Sequence, residues 1–176
     1  MKKEQLKRIF DFLEAKGEHI APFMWKLKND IPLTKEELNV EGTLSLLNSD
    51  ITSLPEGLVV GGNLDLYGSK IESLPKGLEV GLDLDLEHSN IKSLPEGLKV
   101  GKDLHLDYTN ITSLPEGLYV GGNLFLIMCK NLTSLPKGLK VRGGVNVKLT
   151  SLTKYTEEEL REMIEPGFIK GKIIKS

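Results

Sequence analysis

The stretch ITSLPEGLVVGGNLDL, Ile51–Leu66, returns as IESLPKGLEVGLDLDL from Ile71, IKSLPEGLKVGKDLHL from Ile91 and ITSLPEGLYVGGNLFL from Ile111. A fixed period of this length decides the fold before any local propensity does. The apolar rows are Ile51, Ile71, Ile91, Ile111, Leu132 and Leu54, Leu74, Leu94, Leu114, Leu135. They continue as Leu58, Leu78, Leu98, Leu118, Leu139, then Val60, Val80, Val100, Val120, Val141. Two further rows are Leu64, Leu84, Leu104, Leu124, Val145 and Leu66, Leu86, Leu106, Leu126, Val147. One extra residue near Lys130 shifts the last unit by one. No unit this short buries six aliphatic side chains alone. Stacked coils do, because each row lies on its own copy in the next coil. The Leu-x-Leu pair alternates as a strand does, so one parallel strand per coil is expected. Pro55, Pro75, Pro95, Pro115 and Pro136 oppose a helix on the far side, which should be extended or a short turn. The expected class is a β-rich α/β solenoid of about six coils over residues 31–152. The first of these is weaker, with LTKEEL in place of SLPEGL.

The wording LxLxxSxIxSLPxGLxVGG resembles a leucine-rich repeat. Its LP step and length resemble the short bacterial class found in enterobacterial effectors. LPxGLxVGGxLxL is more similar still to leucine-rich proteins encoded by phages and prophage-bearing bacteria. That resemblance implies a right-handed solenoid with a helical N-terminal cap, and it is weak for function. The chain departs from the usual Asn after the strand: Ser49, Ser69, Ser89, Thr109 and Cys129 stand there. Small hydroxyls in that row are expected to bond backbone groups between coils.

A stack of coils has two open ends. Over residues 1–30, Leu6, Ile9, Phe10 and Leu13 carry a helical stripe that ends near Gly17. The cluster Ile20, Phe23, Met24, Trp25 and Leu27 predicts a second short helix. Over residues 153–176, Thr156 with Glu159 three residues on predicts a capping box. Leu160, Met163 and Ile164 give that helix an apolar side, and Pro166-Gly167 ends it. FIKGKIIKS reads as a short hairpin-like tail.

The outward positions beside the strand Leu residues are the informative ones. One row is Thr43, Asn63, Asp83, Asp103, Asn123; the next is Ser45, Asp65, Asp85, His105, Phe125, Asn146. A third is Leu47, Tyr67, Glu87, Asp107, Ile127, Lys148, with His88 and Tyr108 at the strand exits. Residues 31–152 hold 11 basic and 15 acidic side chains, a net of −4. The expected site is this concave face: Asp65, Tyr67, Asp83, Asp85, Glu87, His88, Asp103, His105, Asp107, Tyr108, Phe125 and Ile127. Phe125, Ile127 and Met128 are expected to extend it as an exposed apolar patch. Like charges on adjacent strands disfavour folding, which points to a partner with a basic surface.

The whole chain carries 23 basic and 25 acidic residues, a balance that argues against a nucleic-acid protein. Its apolar runs are too short to span a membrane, and the N-terminal stretch lacks the apolar core of a signal peptide. A cytoplasmic protein, or one delivered to a host cell, is expected. It is read as a monomer or weak homodimer. Asp83, Asp85 and Glu87 imitate a calcium loop on paper, but Leu residues alternate with the acids and the loop's glycine is absent. No metal, cofactor or catalytic residue is therefore expected. His88 or His105 beside carboxylates is the competing enzymatic reading, and a purely structural or oligomerisation unit is the third. The lone Cys129 falls in the row of small buried residues.

Overall fold

A computed structural model describes residue 8, residues 23–29 and residues 31–176. The stripe Leu6, Ile9, Phe10 and Leu13, and the residues Gly17 and Ile20, lie outside the described residues. The chain divides into two compact units, Met1–Leu38 and Asn39–Ser176. In the first, helix α1 covers Phe23–Lys28, where the second apolar cluster predicts one. The Lys26 ammonium is buried and meets Glu37 Oε1 at 3.0 Å. Glu37 Oε2 also accepts from the Thr34 N–H at 2.9 Å, while Thr34 Oγ1 accepts from the Glu37 N–H at 3.2 Å. This reciprocal pair closes the LTKEEL turn without proline or glycine.

The second unit is a β-solenoid with parallel strands about one repeat apart. Each coil carries two strands, not the one expected, and each strand has two residues. The first sheet holds β1 Asn39–Val40, β3 Val59–Val60, β5 Glu79–Val80, β7 Lys99–Val100, β9 Tyr119–Val120, β11 Lys140–Val141 and β13 Phe168–Ile169. The second holds β2 Leu44–Ser45, β4 Leu64–Asp65, β6 Leu84–Asp85, β8 Leu104–His105, β10 Leu124–Phe125, β12 Val145–Asn146 and β14 Ile173–Ile174. Every pairing is parallel and in repeat register, as in Leu64↔Leu84 and Val60↔Val80. The extra strand follows from alternation already present: Leu58 and Val60 are buried and Val59 points out. Between the strands the coils approach closely, and a Cβ at Gly101 would lie 2.0 Å from the Gly81 carbonyl oxygen.

The core is the stacked rows. Leu64, Leu84, Leu104 and Leu124 are fully buried, as are Leu66, Leu86, Leu106 and Leu126. The row of small residues is buried from Ser69 onward, but its bonds differ from the expectation. Ser89 Oγ, Thr109 Oγ1 and Thr150 Oγ1 each donate at 2.7 Å to the carbonyl three residues back in their own coil. Cys129 alone reaches the preceding coil, its Sγ donating to the Leu106 carbonyl at 3.0 Å. Just before that row the backbone enters the left-handed region at Asn48, Gly68, His88, Tyr108, Met128 and Leu149. Glycine removes the Cβ clash only at Gly68, where a side chain would also collide with Asn48 Oδ1.

At the C-terminal end, helix α2 covers Glu157–Met163 and carries the predicted capping box between Thr156 and Glu159. The tail is not a hairpin. Phe168–Ile169 pairs with β11 and Ile173–Ile174 with β12, so the tail is itself the last coil, with α2 inserted before it. The four-residue step from Ile169 to Ile173 repeats the step from Val141 to Val145. Arg161 binds this coil down by donating to the carbonyls of Ile169 and Gly171.

Candidate acidic site on the second sheet

The outward rows of the second sheet lie where alternation puts them, but folding uses most of their acids. Hydrogen-bond polarity reverses between the two sheets. In the first, an N–H donates to the preceding coil, as Gly61 does to the Val40 carbonyl at 2.7 Å. In the second, an N–H donates to the following coil, as Leu64 does to the Asp83 carbonyl at 2.9 Å. The residue at the reversal has both backbone groups aimed at the preceding coil. The Asn63 carbonyl accepts from the Leu44 N–H at 2.8 Å, and the Asn63 N–H finds Thr43 Oγ1 at 3.4 Å. No backbone acceptor remains for that N–H, so a side chain must supply one.

This requirement runs up the stack. Asn63 Oδ1 accepts from the Asp83 N–H at 3.1 Å and Asp83 Oδ1 from the Asp103 N–H at 3.0 Å. Asp103 Oδ1 accepts from the Asn123 N–H at 2.6 Å and Asn123 Oδ1 from the Gly144 N–H at 2.8 Å. The row Thr43, Asn63, Asp83, Asp103, Asn123 is therefore an acceptor ladder. The neighbouring row works within each coil. Asp65 Oδ1 accepts from the Tyr67 N–H at 3.1 Å, and Asp85 Oδ1 from the Glu87 N–H at 2.9 Å. Where Phe125 leaves no such acceptor, Asp107 of the preceding coil takes the Ile127 N–H instead. Folding thus explains acids that charge repulsion alone assigns to a partner.

Three groupings remain. Asn63, Asp65, Asp83, Asp85 and His105 line a shallow concavity of about 240 Å³ with the backbone of Leu64. Its lining holds three carboxylates and no Lys or Arg. Burial raises the Asp85 pKa, although the bond from the Glu87 N–H opposes it. Beside it, ligating atoms of Glu87, His105 and Asp107 all lie within 4.8 Å of one another. His105 Nδ1 is 3.3 Å from Glu87 Oε1. Asp107 is 6% exposed, and burial above all pushes its pKa up to about 6. The third grouping is aromatic. His88 stacks on Tyr108 at 4.6 Å and meets the edge of Tyr67 at 5.4 Å.

Phe125, Ile127 and Met128 are half-buried and do not form the expected exposed apolar patch. Phe125 stacks on His105 at 4.5 Å and 10°, which covers one face of each ring. Asp103 contributes to the ladder and Ile127 chiefly a backbone N–H. Asn63 belongs to the concavity although charge gave no sign of it. The first sheet carries a groove of about 230 Å³ lined by Val59, Glu79, Lys99 and Tyr119 with backbone glycines. The single-strand expectation left no room for this groove. Cys129 is buried, and burial raises its thiol pKa, which suits packing rather than nucleophilic chemistry. Among the described residues no helix is long and apolar enough to cross a membrane. Comparison with protein-family models, curated proteins and solved structures finds no match for this chain.

Proposed function

We propose that this chain is a leucine-rich-repeat-type interaction module, without catalytic activity, that takes a basic side chain of a partner protein into the acidic concavity. The observation that carries this reading is the use of only one oxygen each on Asp65 and Asp85 for backbone N–H groups. Asp65 Oδ2 accepts from Ser45 Oγ at 3.2 Å at the exposed rim. The ladder and the Asx turns fix these carboxylates, so little side-chain entropy is lost when a cation docks. A Lys or Arg head group there neutralises charges held one strand spacing apart and is steered by them over distance. The open surface argues against enzymatic use of His105, because nothing over it excludes water. Kinship with phage-encoded leucine-rich proteins, a right-handed coil and a cytoplasmic or host-delivered setting belong to the same proposal.

Titration of labelled protein with a Lys/Arg-rich peptide, followed by amide chemical shifts, tests it. Shifts should centre on Asp65, Tyr67, Asp83, Asp85 and His105. Shifts confined to the Val59–Tyr119 groove, or none at all, would overturn the assignment.

A further inference from the structure

We propose that Glu87, His105 and Asp107 form a binding site for one divalent transition-metal ion, with Zn²⁺ as the best-matched probe. The three donors come from adjacent coils whose register is fixed by the pairing Asp85↔His105. They converge within 4.8 Å, a separation that small side-chain rotations close to a coordination sphere. One imidazole nitrogen with two carboxylates suits Zn²⁺ and its first-row neighbours, and it is too small a set of oxygens for Ca²⁺.

Each donor is also oriented from behind, as metal ligands are. Asp107 Oδ1 accepts from the Ile127 N–H. The His105 ring rests on Phe125 at 4.5 Å. The backbone at Glu87 is held by Asp85 Oδ1 at 2.9 Å. The adjoining concavity, which shares His105, adds three carboxylates and no Lys or Arg. Asp107 is 6% exposed, so one of the three donors is held away from water. Two carboxyl groups and one imidazole thus meet at one point, where a divalent cation bridges them. The acceptor ladder and the basic-partner reading do not depend on this site.

Isothermal titration of metal-stripped protein with ZnCl₂ at pH 7.5 tests the proposal, with a thermal melt beside each variant. One ion per chain is expected, with a rise in melting temperature as Zn²⁺ increases. Asp107→Asn keeps the acceptor for the Ile127 N–H and His105→Gln keeps most of the side-chain volume. Each should weaken binding roughly tenfold or more. Glu87→Gln serves if His105→Gln fails to fold, and Glu116→Gln, on an exposed turn, is the control. Binding should also weaken at pH 5, because protons compete with a metal ion for its ligands. No uptake by the wild type, or unchanged affinity in the Asp107 and His105 variants, would overturn the site.

Discussion

Asp103→Ala separates a folding role from a recognition role more sharply than any other single change. Asp103 Oδ1 accepts the Asn123 N–H at 2.6 Å and also lies 3.2 Å from Asn123 Nδ2. Alanine removes that acceptor at a point where the backbone offers no substitute. A net hydrogen bond contributes about 0.5–1.5 kcal/mol, and a buried donor left without a partner costs about 1–3 kcal/mol. The Asn123 side chain is half-buried, so water recovers part of the loss. The expected destabilisation is therefore about 1–2.5 kcal/mol. Asp103→Asn keeps an oxygen in place, as Asn63 and Asn123 do at the same step, and should cost less than about 1 kcal/mol. Urea unfolding gives both numbers, and hydrogen exchange at the Asn123 amide locates the change. If the alanine and asparagine variants are equally stable, and Asn123 exchanges as in the wild type, the ladder contributes nothing and the reasoning fails.

Three further outcomes are expected. Leu104→Ala opens a cavity between the fully buried Leu84 and Leu124. It should cost roughly 2–5 kcal/mol in urea unfolding, with lost exchange protection centred on the neighbouring coils. Leu149→Gly relieves a left-handed residue at φ 56 that is 64% exposed, and should raise stability by about 0.5–1 kcal/mol in the same assay. Asp107 binds its proton more tightly folded, at about 6, than its ordinary value of 3.8, so the native state carries more protons between those limits. Its contribution therefore falls as pH rises from about 4 to above 6, by on the order of 2 kcal/mol. The stability difference between wild type and Asp107→Asn, measured at pH 4 and pH 7.5, should change in that direction.

The rows of Leu, Ile and Val were legible because period alone determines which side chains stack. Thr156 and Glu159 were legible because a capping box is local. The second strand was present in the sequence as Leu58-x-Val60, but flanking proline and glycine favoured a turn, and the strand has only two residues. The last coil was hidden because α2 interrupts the period, although Ile169 and Ile173 keep the step between the two sheets. The acceptor ladder was the largest omission. Its cause is the reversal of backbone polarity between the sheets, which no composition records. Its trace is that Thr43, Asn63, Asp83, Asp103 and Asn123 are all hydrogen-bond acceptors at a solvent-side position. Alternation alone leaves Phe125 exposed, because a sequence does not show that His105 lies against its ring.

The central claim is that Asp65, Asp83 and Asp85 each support the backbone with one oxygen while together presenting an acidic concavity to a basic side chain. Replacing all three by asparagine keeps the amide oxygens that accept the Tyr67, Asp103 and Glu87 N–H groups and removes the charge. Affinity for a Lys/Arg-rich peptide, measured by anisotropy from low to high salt, tests both halves in one comparison. The wild type should bind with an affinity that falls steeply as salt rises, and the triple variant should bind at least tenfold more weakly while melting at the same temperature or higher. Equal affinity and equal salt dependence in the two proteins would contradict the claim.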